Sequence, residues 1–278
     1  MLPATAPTAG RPHAVGQTDP MEGYHASTYG DRWADVYDDW YGEDEQIEPT
    51  VAFLAALAGD PVGCGTLIEL GIGTGRIALP LAALGYDVRG IDASEAMVDR
   101  LRAKPMGASI PVVIGDMGAV PVPPVASGLD GHRVTGVFVA YNTFFGLASD
   151  EAQRSCLTRI AGLLDEDGWF VTASFVPGDG MRGTSGSDVG VRTIDADRVV
   201  LTADVHDAEA QTISGQYIDI STAGIALRPF HLRYLYPAQL DELATAAGLH
   251  LADRWATWDR EPFDDDSPGH VSVYRRAR

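Results

Sequence analysis

The chain has 278 residues, enough for one large domain or for one domain with an appended lobe. Apolar residues make up 45% and charged residues 21%, an ordinary globular balance. Thirty-nine acids against 20 Lys and Arg leave a net charge of −19, which disfavours nucleic acid and anionic membranes as partners, because both need a basic footprint.

Residues 1–20 are rich in Pro, Ala, Thr and Gly and lack the charged start and apolar core of a signal peptide. They read as a disordered tail. Residues 21–60 read as an N-terminal helical cap. There Tyr24, Tyr29, Trp33, Tyr37, Trp40 and Tyr41 recur at spacings that suit helix faces. Glu48-Pro49 then opens a helix that runs to Ala58, with Gly59 beyond its end.

Short apolar strands and helices alternate over residues 61–176. Strands are expected near 66–70, 87–91, 111–115, 134–139 and 169–175, and helices near 75–84, 94–104 and 149–164. Ser94 and Ser149 serve as N-caps. This alternation predicts an α/β fold, a doubly wound and mostly parallel sheet covered on both faces.

The pattern changes over 177–236. A Gly/Ser-rich loop, "PGDGMRGTSGSDVG", precedes three strand-like runs at 197–206, 211–221 and 224–235, separated by short turns. They predict an inserted antiparallel meander, acting as a lid or as a dimer contact. Residues 237–278 supply a helix with Pro237 at its start and Gly248 after its end, then two strands near 249–256 and 270–276 that complete the sheet. Cys64 and Cys156 suggest structural thiols in a reducing compartment. No apolar run is long enough to span a bilayer. A cytoplasmic protein is expected, as a monomer or homodimer.

The chemistry concentrates at the strand ends. Glu69 precedes Gly71, Gly73 and Gly75 in a strand-to-helix turn, where glycine lets a ligand approach the backbone closely. The G-x-G-x-G spacing is one residue short of the dinucleotide fingerprint, and Arg76-Ile77 after Gly75 rules out a Walker loop. Asp92 ends the second strand and Asp116 follows the third. Open α/β sheets bind ligands at this edge. Three acids converging there repel a pyrophosphate and favour a ribose, a base amine and a positive centre.

At this point the chain resembles the class I S-adenosylmethionine-dependent methyltransferases, and within them the small-molecule, specialised-metabolite branch. The residues that carry the resemblance are "ELGIGTG" (69–75), "GIDAS" (90–94), "GDM" (115–117) and "VFVAYNTFFGL" (137–147). The resemblance implies a Rossmann-like seven-stranded sheet and S-adenosyl-L-methionine as cofactor, with S-adenosyl-L-homocysteine as product. It implies that Gly71, Gly73 and Gly75 pass close to the methionine part and the ribose, and that Asp92, with Ala93 beside it, binds the ribose hydroxyls. It places Asp116 at the adenine amine, Met117 against the ring, and Ala140 and Asn142 near the methionine end. Tyr29 and Tyr41 match tyrosines that cover that end and the acceptor, whereas Trp33 and Tyr37 read as packing anchors.

Methyl transfer to oxygen or carbon also releases a proton, so a base is sought. The last strand of such a sheet runs antiparallel, which brings its start, His270, to the cofactor edge. His231, His25 and Tyr24 are the further candidates. The run Asp264-Asp265-Asp266 reads as solvated, and no metal is expected. The expected reaction is methyl transfer to an O, N or C atom of a small-molecule acceptor. An aromatic or indole-like natural-product intermediate, or an antibiotic sugar or macrolide, would fit. A nicotinamide-dependent oxidoreductase and a non-catalytic cofactor-binding module are the readings from other classes; the glycine spacing and Glu69 count against the first.

Overall fold

The computed structural model describes residues 21–119 and 134–276. The expected tail over 1–20 lies outside the described residues. Seven strands form the main sheet: β1 (Thr66–Leu70), β2 (Val88–Asp92), β3 (Val112–Ile114), β4 (Val134–Val139), β5 (Trp169–Phe175), β10 (Leu249–Trp255) and β11 (Gly269–Arg276). Their spatial order is β10-β11-β5-β4-β1-β2-β3. β1 to β5 pair in parallel, and β11 runs antiparallel to both β5 and β10. This is the expected doubly wound α/β fold.

β1 is buried along its whole length, as a central parallel strand must be. Two apolar layers cover the sheet. One packs helices α6 (Asp150–Leu163) and α7 (Pro237–Ala246) around Phe170 and Tyr274. The other packs α3 (Ile47–Ala58) and α4 (Ala78–Ala83) around Phe138 and Trp169. Helix α5 (Glu95–Ala103) starts as predicted, with Ser94 Oγ accepting from Met97 N at 3.2 Å. Ser149 likewise caps α6, accepting from Ala152 N at 3.1 Å. The helix expected from residue 75 starts only at Ala78, because the glycine turn occupies the residues before it. Both cysteines are free thiols, and burial pushes that of Cys156 up to about 12.

The antiparallel insert has four strands rather than three: β6 (Gly186–Ile194), β7 (Arg198–Asp207), β8 (Thr212–Ser221) and β9 (Gly224–Arg233). β6 lies in the stretch that begins as the Gly/Ser-rich run. It is an exposed edge strand, so its sequence carries little of the alternating burial that marks a strand.

The N-terminal cap, α1 (Thr28–Trp33) and α2 (Tyr37–Tyr41), bridges the two sheets. Trp33 is fully buried at its centre, stacked on Tyr29 and edge-on to Trp40 and Tyr217, and its indole N–H donates to the Pro229 carbonyl at 3.4 Å. Trp33 is thus the packing anchor its spacing suggested. Arg228 grips Asp35 through two hydrogen bonds, at 2.6 and 3.0 Å, which hold the Asp35 carboxyl below its ordinary value. On the core side Asp38 accepts from Thr74 Oγ1 at 2.6 Å and from Lys104 Nζ at 2.9 Å, and Asp31 accepts from Ser94 Oγ at 2.6 Å.

Candidate active site

A cavity of about 690 Å³ lies where the carboxyl ends of β1 to β4 meet the cap and the meander. Gly71, Gly73, Asp92, Ala93, Asp116, Met117 and Asn142 line it from the core. Tyr24, His25, Tyr29 and Tyr41 line it from the cap, and Phe230 and His231 from the meander. Most of the residues singled out from the sequence are therefore brought around one space.

Gly71 and Gly73 take positive φ, +71° and +54°. A Cβ placed on Gly73 would meet only the Gly71 carbonyl oxygen, at 4.0 Å, so the space it would fill is the cavity itself. Gly75 differs. Its added Cβ would collide with Leu101 Cδ1 at 2.3 Å, and it does not line the cavity; its place is in the packing of the turn. Asp92 is held by two backbone donors, Gly73 N at 2.7 Å and Ser94 N at 2.8 Å, while burial raises its pKa above the ordinary value. Asp116 uses one oxygen to accept from Gly118 N at 2.7 Å.

Glu69 and Ala140 border a small recess behind the main cavity. Burial pushes Glu69 well above the usual carboxylate range, with Arg76 opposing the shift, and its Oε2 is buried without a hydrogen-bond partner. Arg76 is the one Lys or Arg among the described lining residues. Its guanidinium sits 3.9 Å from the Tyr141 ring centroid and 3.0 Å from Asp44. Tyr141 and Asn142 both adopt left-handed backbone angles, φ +55° and +67°, the kind of strain that collects at functional sites. Asn142 Oδ1 accepts from Phe175 N at 2.7 Å, which fixes this corner.

These groups match the chemistry of S-adenosylmethionine. A guanidinium can face its carboxylate, the buried and unpartnered Glu69 oxygen is available to its ammonium, Asp92 can accept from two ribose hydroxyls, and Asp116 from an adenine amine. Arg76, Tyr141 and Tyr217 were not singled out from the sequence, and Tyr37, read as a packing anchor, also lines the cavity. Arg76 could have been found from its place directly after the glycine turn. Tyr217 carried no such signal.

The candidate bases divide. His231 lines the cavity, its Nδ1 lies 2.7 Å from Ser214 Oγ, and burial lowers its pKa. Tyr24 stands beside it, with ring centroids 5.9 Å apart, and burial pushes its hydroxyl up to about 12. His25 is an exposed lining residue.

His270 is not among the lining residues. β11 does begin at the expected edge, with Gly269 opposite Phe175, but strand alternation turns His270 to the same face as Ser272 and Tyr274. There Nδ1 lies 2.8 Å from Ser272 Oγ, within a buried network of Arg254, Asp241 and Tyr274. Burial, with Arg254 adding to it, pushes His270 down to about 4. A histidine held neutral stabilises the fold above its unfolded pKa of about 6.5, and that contribution is lost as pH falls toward the folded value. Between pH 7 and pH 5 the linked loss is about 2 kcal/mol. Urea unfolding at the two pH values should show this drop shrink in His270→Asn; an equal drop in both proteins would refute the assignment.

Among the described residues, no three His, Cys, Asp or Glu side chains are grouped so as to hold a metal ion, and no helix is long and apolar enough to cross a membrane. A profile of the family described as "Methyltransferase domain" matches residues 67–168. The CcbJ methyltransferase of Streptomyces caelestis is 40% identical in sequence and superposes with a TM-score of 0.81, over 92% of this chain and 100% of that one. The cypemycin N-terminal methyltransferase of a Streptomyces species is 26% identical over 78% of this chain and 85% of its own length. An uncharacterized methyltransferase of Bacillus pumilus is 29% identical over 51% of this chain, and the match spans 63% of that protein, just under two thirds. With the glycine turn, the strand-end acids and the seven-stranded sheet, these likenesses identify the chain as a member of the S-adenosylmethionine-dependent methyltransferases.

Proposed function

We propose that the protein transfers a methyl group from S-adenosylmethionine to an amine nitrogen of a small-molecule metabolite of the natural-product type. The observation that carries this reading is the aromatic half of the cavity, where Tyr24, Tyr29, Tyr41, Tyr217 and Phe230 line the same space as His231, with Tyr24 packed beside it. Ring faces attract a cationic nitrogen, and the −19 chain adds a field of the same sense. The name of the cypemycin relative, an N-terminal methyltransferase, is in keeping with a nitrogen acceptor.

When bound, S-adenosylmethionine supplies a methyl group on a sulfonium, ready for in-line displacement. Gly71 and Gly73 would allow its close approach to the backbone, Asp92 and Asp116 would hold the ribose and base, and Arg76 would hold the carboxylate. The tyrosines exclude water and align the acceptor, which is the larger part of what such a reaction needs. In the tautomer whose Nδ1–H donates to Ser214, His231 Nε2 is the acceptor for the amine proton. Its lowered pKa keeps it neutral, and so available, at pH 7.

Incubation with methyl-labelled cofactor and paired acceptors, the same aminosugar or aminoacyl scaffold bearing either an amine or a hydroxyl, tests the reading. Label should appear on the amine member only; label on hydroxyl or carbon alone would overturn it. His231→Phe should lower kcat by about 10²-fold, the usual scale for general-base loss. Its S-adenosylhomocysteine affinity should stay within threefold of wild type. An unchanged kcat would remove His231 from the proton path.

A further inference from the structure

Strand β9 is an edge of the meander sheet, so one side of its backbone has no strand to bond to. The register says which groups lie on that side. Ser221 and Gly224 close a two-residue turn, and bonded and non-bonded pairs alternate from there along β8 and β9. Pro229, His231 and Arg233 fall on the non-bonded positions, so their backbone groups point off the edge. Pro229 suits such a place because it has no N–H to give to a ladder. Two of these three outward carbonyls are capped. Pro229 accepts from the Trp33 indole N–H at 3.4 Å, and Arg233 accepts from Gln153 Nε2 at 2.8 Å. Between them, the His231 N–H faces the Tyr24 phenol oxygen, but no donor among the described residues reaches the His231 carbonyl. The cavity meets β9 at this point. Phe230, His231 and Leu232 all line it, although successive strand residues point to opposite faces. A space touched by three residues in a row is touched at the strand's edge, backbone included. His231 is only 4% exposed, and a buried carbonyl is almost always paired. The cavity is the side from which its donor can come.

We propose that the main-chain carbonyl of His231 receives the acceptor amine, taking a hydrogen bond from its N–H while the nitrogen lone pair faces the methyl group. The inference rests on the amine reading given above. In the transfer the nitrogen gains the N–C bond, the C–S bond breaks with its electron pair left on sulfur, and the positive charge passes from sulfur to nitrogen. The N–H then donates from a cation. Its bond to the carbonyl is therefore stronger in the transition state than before it, which is the kind of contact that raises a rate. The same proton is the one that His231 Nε2 afterwards takes. The carbonyl also sets a limit on the acceptor. Primary and secondary amines carry the N–H it needs. A neutral tertiary amine does not, so methylation stops before a quaternary product.

The unaltered full chain is enough for the test. Carbonyl-¹³C histidine combined with ¹⁵N leucine labels two peptide links in this sequence, His231-Leu232 and His250-Leu251, and the second, exposed on β10, is an internal reference. The chain is saturated with S-adenosylhomocysteine, and the secondary-amine form of the aminosugar or aminoacyl probe is added. The His231 carbonyl resonance should move downfield while that of His250 stays in place. With methyl-labelled cofactor, the secondary amine should take one methyl, and its tertiary-amine counterpart should react about 10²-fold more slowly, the scale for losing one such hydrogen bond. A His231 carbonyl unmoved by an amine that is turned over, or a quaternary product formed as fast as the tertiary one, overturns the proposal. Label on the hydroxyl probe alone is a different result: it defeats the amine reading itself, and this inference with it.

Discussion

Replacing Asp92 with alanine is expected to weaken S-adenosylhomocysteine binding by about 10²-fold or more. Two hydrogen bonds from ribose hydroxyls to a carboxylate are worth about 1.5–3 kcal/mol each. At about 1.4 kcal/mol per tenfold, their joint loss corresponds to roughly 10²- to 10⁴-fold in Kd. The substitution also strips Gly73 N and Ser94 N of their acceptor, which loosens the glycine turn and the start of α5 together. Isothermal titration should register the loss directly. Asp92→Asn keeps the size but not the charge and should fall between wild type and the alanine variant. A change below threefold in Asp92→Ala would mean that the ribose does not meet this carboxylate.

Trp33→Ala is expected to cost about 3–5 kcal/mol of stability, the range for deleting a buried large aromatic side chain. For a chain of this size that corresponds to a fall in Tm on the order of 10 °C. Trp33 is fully buried, and the variant would open a void where cap and meander meet. Tyr29 and Tyr217, both cavity-lining, would lose the ring they pack against. The variant should therefore lose acceptor turnover below its melting point. Thermal melts alongside initial rates at 20 °C separate the two effects. A Tm within 2 °C of wild type would show that the cap docks through other contacts.

Much of this was legible in the sequence because backbone requirements write themselves into residue type. The glycines at 71 and 73 and the caps at Ser94 and Ser149 each answer a local geometric demand, and the alternation of strand and helix answers a packing demand. Tertiary orientation is another matter. His270 was placed at the correct sheet edge by topology, yet which face a side chain takes depends on register, and register turned it toward Ser272. β6 was hidden because an exposed edge strand is free of the burial pattern that reveals others. Arg76 sat in plain view after the glycine turn, but its meaning depends on Tyr141, 65 residues away, whose left-handed backbone brings the ring under the guanidinium.

The cap's grip on the meander also bears on how the chain is made. Trp33 to Pro229 and Arg228 to Asp35 span 196 and 193 residues of sequence. Contacts this distant close late, after the entropy of a long loop has been spent. A chain synthesised from its N-terminus exposes Tyr29, Trp33 and Trp40 on the ribosome well before β8 and β9 emerge to cover them. Strands β1 to β5 can pair during that interval, although the main sheet is complete only once β10 and β11 follow the meander. The aromatic wall of the cavity cannot form before β8 and β9 arrive, so translation products truncated ahead of them would be aggregation-prone and inactive.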